Sequence, residues 1–124
     1  MTHFTGKVAF VTGGGSGLGR AMCLELARRG ATCVVSDLNG ESAGRVAQEI
    51  TAAGGKATVM ELDVSDSAAV TECVSRTVAT HGQLDYMFNN AGIIILGEVR
   101  DMEPKHWQRI IEVNFLGVLY GTTA

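Results

Sequence analysis

The feature that most constrains this chain is a glycine-rich break, Thr12-Gly13-Gly14-Gly15-Ser16-Gly17-Leu18-Gly19, set between an apolar β-branched run and a helix-period segment. Val8-Ala9-Phe10-Val11-Thr12 reads as a buried strand. From about Gly17 to Arg29 the spacing is helical, with Leu18, Met22 and Leu26 on one side and Gly30 as a stop. The same alternation then repeats. Thr32 to Ser36 is a second strand closed by Asp37, and Asn39 is placed to cap a helix through Ala53 whose buried face carries Ala43, Val46, Ala47 and Ile50. Ala57 to Leu62 is a third strand stopping at Asp63. Ser65 or Asp66 then caps a helix with Val70, Val74 and Val78 at i, i+4 and i+8, ended by Gly82. Leu84 to Phe88 is a fourth strand leading into Asn89-Asn90-Ala91-Gly92. An irregular loop follows to about Arg100, and Pro104 opens a last helix with Trp107, Ile110, Ile111 and Val118 on one side. Strands this continuously apolar, each followed by a helix, imply an α/β fold: a Rossmann-type doubly wound parallel sheet in three layers, α/β/α, with residues 1–124 as one domain.

Composition narrows the partners. There are 16 glycines beside one proline, so the glycines have positional roles and do not mark low complexity. A net charge of -3 disfavours nucleic acid and anionic membranes as partners. Cys23, Cys33 and Cys73 are odd in number with no C-x-x-C spacing, and His3, His81 and His106 share no helix face, so neither a disulfide framework nor a metal site is expected. No apolar run approaches the roughly 20 residues of a membrane span, and Met1-Thr2-His3 leads toward a strand without a charged-then-apolar leader. A cytoplasmic location is expected.

In a doubly wound sheet, ligands bind beyond the carboxyl ends of the strands. Four clusters fall there: Thr12 to Gly19, Asp37, Asp63-Val64 and Asn89 to Gly92. The first reads T-G-x-x-x-G-x-G. In it Gly13 lets the chain leave the strand, Gly17 lets backbone approach a pyrophosphate, and Gly19 allows close packing of the helix. No Lys follows the glycines, which excludes a triphosphate-hydrolysing loop. Asp37 lies 18 residues after Gly19, where an acidic residue would accept from both ribose hydroxyls and repel a 2′-phosphate. With no Arg or Lys adjacent to it, NAD is favoured over NADP. Plain structural readings stand beside these: a tight turn for the glycines, a turn residue or cap for Asp37, a strand end for Asp63, and turn chemistry for the asparagines.

The chain resembles the N-terminal half of a short-chain dehydrogenase/reductase. Thr12-Gly-Gly-Gly-Ser-Gly-Leu-Gly19 matches that family's cofactor loop, Asp63-Val64 its adenine-side pair, Asn89-Asn90-Ala91-Gly92 its motif after the fourth strand, and Asn114 the catalytic-site Asn of its fourth helix. The resemblance implies that Thr12 steadies the loop and that Gly13, Ser16, Gly17, Leu18 and Gly19 hold the diphosphate. It also implies that Asp63 and Val64 border the adenine, that Asn90, Ala91 and Gly92 run beside a ribose, and that Asn89 ties neighbouring strands. Asn114 has a separate argument: at i+7 from Trp107 it falls on the apolar helix face, where an unpaired buried amide would cost roughly 1–3 kcal/mol. It therefore needs a partner or a water; the family uses this residue to hold a water in a proton relay, and a satisfied core Asn is the plainer alternative.

The chemistry the resemblance implies is hydride transfer between a nicotinamide and an alcohol or ketone, with a Tyr as acid-base, a Lys four residues on, and a Ser. Here Tyr86 is followed four residues later by Asn90 and Tyr120 by Ala124, so no Tyr-x-x-x-Lys exists. The expectation is a partial chain that carries the cofactor-binding half, lacks activity alone, leaves its fourth strand as an apolar sheet edge, and belongs to a homo-oligomer when full length. The rival is a non-catalytic nucleotide-binding or interaction module. A receiver or flavodoxin-like protein fits less well, because three glycines stand where an acidic cluster or hydroxyl-rich loop is needed.

Overall fold

The computed structural model describes residues 3–124; Met1 and Thr2, at the expected leaderless start, lie outside the described residues. Four parallel strands, β1 (Val8–Val11), β2 (Thr32–Asp37), β3 (Lys56–Glu61) and β4 (Tyr86–Phe88), form one sheet in the order β3-β2-β1-β4. Helices α1 (Gly17–Arg28), α2 (Gly40–Ala52) and α3 (Ser67–His81) make the crossovers. After β4 come a short 3-10 turn at Val99–Asp101 and a long helical run: α4 (Pro104–Ile110), a π-helical stretch at Ile111–Leu116, and α5 (Gly117–Thr123). The chain moves outward from β1 to β3 and then returns to pair β4 on the other side of β1, so the switch point lies between β1 and β4. As expected, β4 is a sheet edge.

Alternation along β1 divides the core. Ala9 and Val11 join Val35, Cys23, Leu26, Val46 and Ile50 under α1 and α2. Val8 and Phe10 join Val34, Met60, Leu62, Val70, Cys73 and Val113 on the opposite face. The expected caps are present: Asn39 Oδ1 accepts from Ser42 N at 3.1 Å, Asp66 Oδ1 accepts from Ala69 N at 3.1 Å, and Gly82 closes α3 with a left-handed φ of 79°.

Two helix faces differ from the expectation. On α3 the buried residues are Val70, Cys73 and Thr77, while Val78 is 44% exposed. Thr77 tolerates burial because its hydroxyl donates to the Cys73 carbonyl at 2.9 Å, which lets the smaller residues face the sheet and turns the valine ladder to the flank. On the last run, Trp107, Ile111 and Val118 are exposed, and Val113, Gly117 and Gly121 are buried instead. Val113, Gly117 and Gly121 recur every four residues, so the inward stripe is a helix face beside the one marked by the large apolar residues, chosen by packing and not by hydrophobicity. Gly117 and Gly121 let this run approach closely: a Cβ at Gly117 would meet Val64 Cγ2 at 2.8 Å, and one at Gly121 would collide with Asn89 Oδ1.

Candidate functional site: a cleft at the strand ends

Beyond the carboxyl ends of the strands lies a cleft of about 430 Å³. Of the residues singled out from the sequence, Gly13, Ser16, Leu18, Gly19, Asp37, Asp63, Val64, Asn90, Ala91 and Gly92 all line it. Thr12, Gly17 and Asn114 do not; they stand behind or beside it.

The floor is the glycine loop. Gly13 leaves β1 with φ 64° and Gly17 opens α1 with φ 54°, both left-handed. A Cβ at Gly13 would meet Ala91 Cα at 2.9 Å, and one at Gly19 would overlap the Gly13 carbonyl and come within 2.7 Å of Asn90 Nδ2. The third glycine therefore packs against the loop and Asn90, which is where the close approach occurs. Ser16 precedes α1 without a side-chain cap hydrogen bond, and no acidic residue occupies the first turn. The first-turn amides of α1 thus have no side-chain partner, the condition under which a helix N-terminus attracts an anion.

Thr12, buried below the loop, joins two strand ends. Its Oγ1 accepts from Asn90 N and Ala91 N, both at 3.0 Å, and donates to the Phe88 carbonyl at 3.3 Å. Asn90 Nδ2 donates back to the carbonyls of Thr12 at 3.1 Å and Gly13 at 3.3 Å. Asp37 closes one wall. Its Oδ2 accepts from Gly15 N at 2.9 Å and its Oδ1 from Asn39 N at 3.0 Å, which holds the carboxylate at the rim of the glycine loop. Each carboxylate oxygen keeps a further lone pair for a ligand hydroxyl.

On the other wall, Asp63 Oδ1 accepts from Ser65 N at 3.0 Å and Ser65 Oγ at 2.6 Å, and Arg109 Nη2 stands 3.6 Å from Oδ2. The Ser65 hydroxyl, its backbone N–H and the Arg109 guanidinium together hold the Asp63 carboxyl below the usual range.

Asn114 corrects the sequence argument. It is exposed, not buried on an apolar face, because the run turns Val113 and Gly117 inward and leaves Asn114 to the side. It is nevertheless fully paired: Oδ1 accepts from Ile93 N and Nδ2 donates to Ile93 O, both at 2.8 Å. The amide thereby clasps the strand-β4 loop beside Gly92. Asn89 also differs. Its Nδ2 donates to Thr122 Oγ1 at 3.3 Å, tying β4 to α5 rather than to a neighbouring strand, and its buried Oδ1 has no partner among the described residues.

Leu38, Leu62, Ile93, Arg109 and Val113 line the cleft without having been singled out. The apolar four are chain neighbours of marked residues: Leu38 and Ile93 follow Asp37 and Gly92, and Leu62 and Val113 precede Asp63 and Asn114. Arg109 had no such signal, since nothing in the sequence links it to a serine 44 positions earlier. Among the described residues there is no group of His, Cys, Asp and Glu able to hold a metal ion, and no helix long and apolar enough to cross a membrane.

A family profile described as short chain dehydrogenase matches residues 7–124. The chain is 41% identical over 124 residues to a cyclopentanol dehydrogenase of Comamonas testosteroni, covering 100% of this chain and 50% of that protein. It is 43% identical over 120 residues to a cyclohexanol dehydrogenase of Acinetobacter sp., covering 94% of this chain and 47% of that one. Among solved structures, a metagenomic short-chain oxidoreductase in complex with NADP superposes with a TM-score of 0.92 at 34% identity, over 98% of this chain and 55% of that chain. A short chain dehydrogenase from Mycobacterium avium superposes with a TM-score of 0.94 at 33% identity, over 99% of this chain and 47% of the other. The chain spans about half the length of the curated relatives it matches.

Proposed function

Since the chain belongs to the short chain dehydrogenase family, we propose that residues 1–124 are the cofactor-binding half of an NAD-dependent oxidoreductase acting on a small alcohol or ketone. The observation that carries this reading is the meeting, at the rim of one loop, of the uncapped α1 N-terminus and the Asp37 carboxylate, which is moored to Gly15 N.

The residues fit a dinucleotide. Gly13, Ser16, Gly17, Leu18 and Gly19 would hold its diphosphate, because Gly13 and Gly19 pack too tightly for a Cβ and so fix the loop, and the first-turn amides have no side-chain cap. Asp37 would accept from the ribose hydroxyls, and its negative charge would disfavour a 2′-phosphate. Asp63 and Val64 would border the adenine; Asn90, Ala91 and Gly92 would follow the second ribose, with Thr12 fixing their backbone from below. When bound, the nicotinamide supplies hydride exchange at its ring. Asn114 orients the Ile93 backbone at the reacting end and, in the family's manner, would hold a water of the proton relay.

With no Tyr-x-x-x-Lys present, the 124 residues would bind cofactor without turnover. The whole protein would be a cytoplasmic homo-oligomer.

Calorimetric titration with both coenzymes tests the reading. NAD should bind more tightly than NADP, and Asp37→Ala should weaken NAD more than NADP. Absence of saturation with either coenzyme, or equal losses on substitution, overturns it.

A further inference from the structure

The last helical run holds the cleft at two points. Asn114 clasps the loop after β4 through both atoms of its amide. Five residues earlier, Arg109 reaches the loop after β3: its Nη1 donates to Ser65 Oγ at 2.8 Å while Nη2 faces Asp63 Oδ2. The Ser65 hydroxyl passes the contact on, donating to Asp63 Oδ1 at 2.6 Å. Both carboxylate oxygens of Asp63 are therefore held, one through Ser65 and one by the guanidinium directly. Val113, one turn beyond Arg109, packs with Leu62 and Val64 on either side of Asp63, so the wall is fixed by apolar contact as well.

Charge points the same way. Among the described residues lining the cleft, Arg109 is the only cation, set against Asp37 and Asp63. A cleft with two carboxylates and no cation would repel a diphosphate before the amides of α1 could engage it.

We propose that Arg109 is a positioning residue for the adenine end of the bound dinucleotide, holding the Asp63 carboxylate and its loop in the binding geometry through Ser65. The proposal rests on the dinucleotide reading above. The fork of the guanidinium matters: it reaches a hydroxyl and a carboxylate at once, which the single ammonium of a lysine does not reproduce.

The test titrates NAD, AMP and nicotinamide mononucleotide into the protein and its Arg109→Gln, Arg109→Lys and Ser65→Ala variants. With both partners more than a third exposed, the pair is screened, and Arg109→Gln should weaken NAD and AMP by about fivefold. Nicotinamide mononucleotide, which has no adenine, should bind unchanged. Arg109→Lys should recover part of the loss, and Ser65→Ala should repeat the pattern at smaller size. The acid edge of NAD binding should move to higher pH in Arg109→Gln, because Asp63, facing Arg109 from the helix and Ser65 from its own loop with Asp37 across the cleft, loses its cation. Unchanged NAD and AMP affinity in Arg109→Gln overturns the proposal while leaving the dinucleotide reading intact, as does an equal loss for all three ligands. A parent protein that binds none of them overturns both.

Discussion

Replacing Thr12 by Val preserves the side-chain shape and removes one hydroxyl at the point where β1 and β4 feed the cleft. Three hydrogen bonds involve that oxygen, but their losses are unequal. The Phe88 carbonyl keeps the Thr12 N–H at 3.1 Å, and the Asn90 N–H keeps the Phe88 carbonyl at 3.0 Å. The Ala91 N–H has the Thr12 hydroxyl at 3.0 Å and loses it. The Ala91 N–H is part-buried beside the cleft, so its loss falls at the lower end of the about 1–3 kcal/mol for an unpaired donor; weakening the shared bond on Asn90 adds a fraction of a normal hydrogen bond, and the substitution should cost about 1–2 kcal/mol. Urea unfolding followed by circular dichroism measures it, with the slope expected to stay constant and the midpoint to fall. Thr12→Ser keeps the oxygen and loses only a methyl group, about 0.8 kcal/mol. A Val variant within about 0.5 kcal/mol of the parent, or a Ser variant as damaged as Val, would refute the assignment of the hydroxyl as the link.

Gly19→Ala should cost about 1–3 kcal/mol and abolish coenzyme binding, since the added carbon overlaps the Gly13 carbonyl. Gly44→Ala, in open space on α2, should instead stabilise by about 0.5–1 kcal/mol in the same urea assay. Burial pushes the Cys23 thiol up to about 12 and Cys33 up to about 11. Both should therefore react with iodoacetamide at pH 8 at least about a hundredfold more slowly in the folded protein than in denaturant, as mass spectrometry would show. Because the folded thiols titrate above the unfolded value of about 8.5, their contribution to stability is complete below that pH and is lost as pH rises toward 11–12. The urea midpoint should fall across that window, and less steeply in Cys23→Ala.

The sheet was legible because β1 is apolar throughout and β2 through Cys33–Val35, and each of the first three strands meets its helix after a glycine or an acid–turn signal, features that depend only on neighbours in the chain. The glycine loop was legible for the same reason: Gly13 and Gly17 adopt left-handed backbone that few other residues take. What the sequence hid were choices made by packing. Nothing local distinguishes Val78 from Thr77 as the inward residue of α3 until Thr77 finds the Cys73 carbonyl. Nothing local marks Val113, Gly117 and Gly121 as the inward stripe of the last run either, and the counted face was wrong from Trp107 onward.

Asn114 draws these strands together. It was singled out by its match to a family motif, while the physical argument attached to it, a buried amide short of a partner, took the large apolar residues to mark the inward face. The structure removes that premise and supplies another: Asn114 is exposed, and both its amide atoms lie 2.8 Å from the Ile93 backbone. The same run presents Arg109 to Ser65 and Asp63 and presents glycine at 117 and 121 to Val64 and Asn89. A helix places residues 109 and 114 about 140° apart, so the two side chains leave the run on different sides and reach different loops. A single helical run thus braces both loops of the cleft. The contacts that do so, to Asp63, Ser65 and Ile93, lie in the loops after β3 and β4, which is why no reading of residues 104–123 alone would have located them.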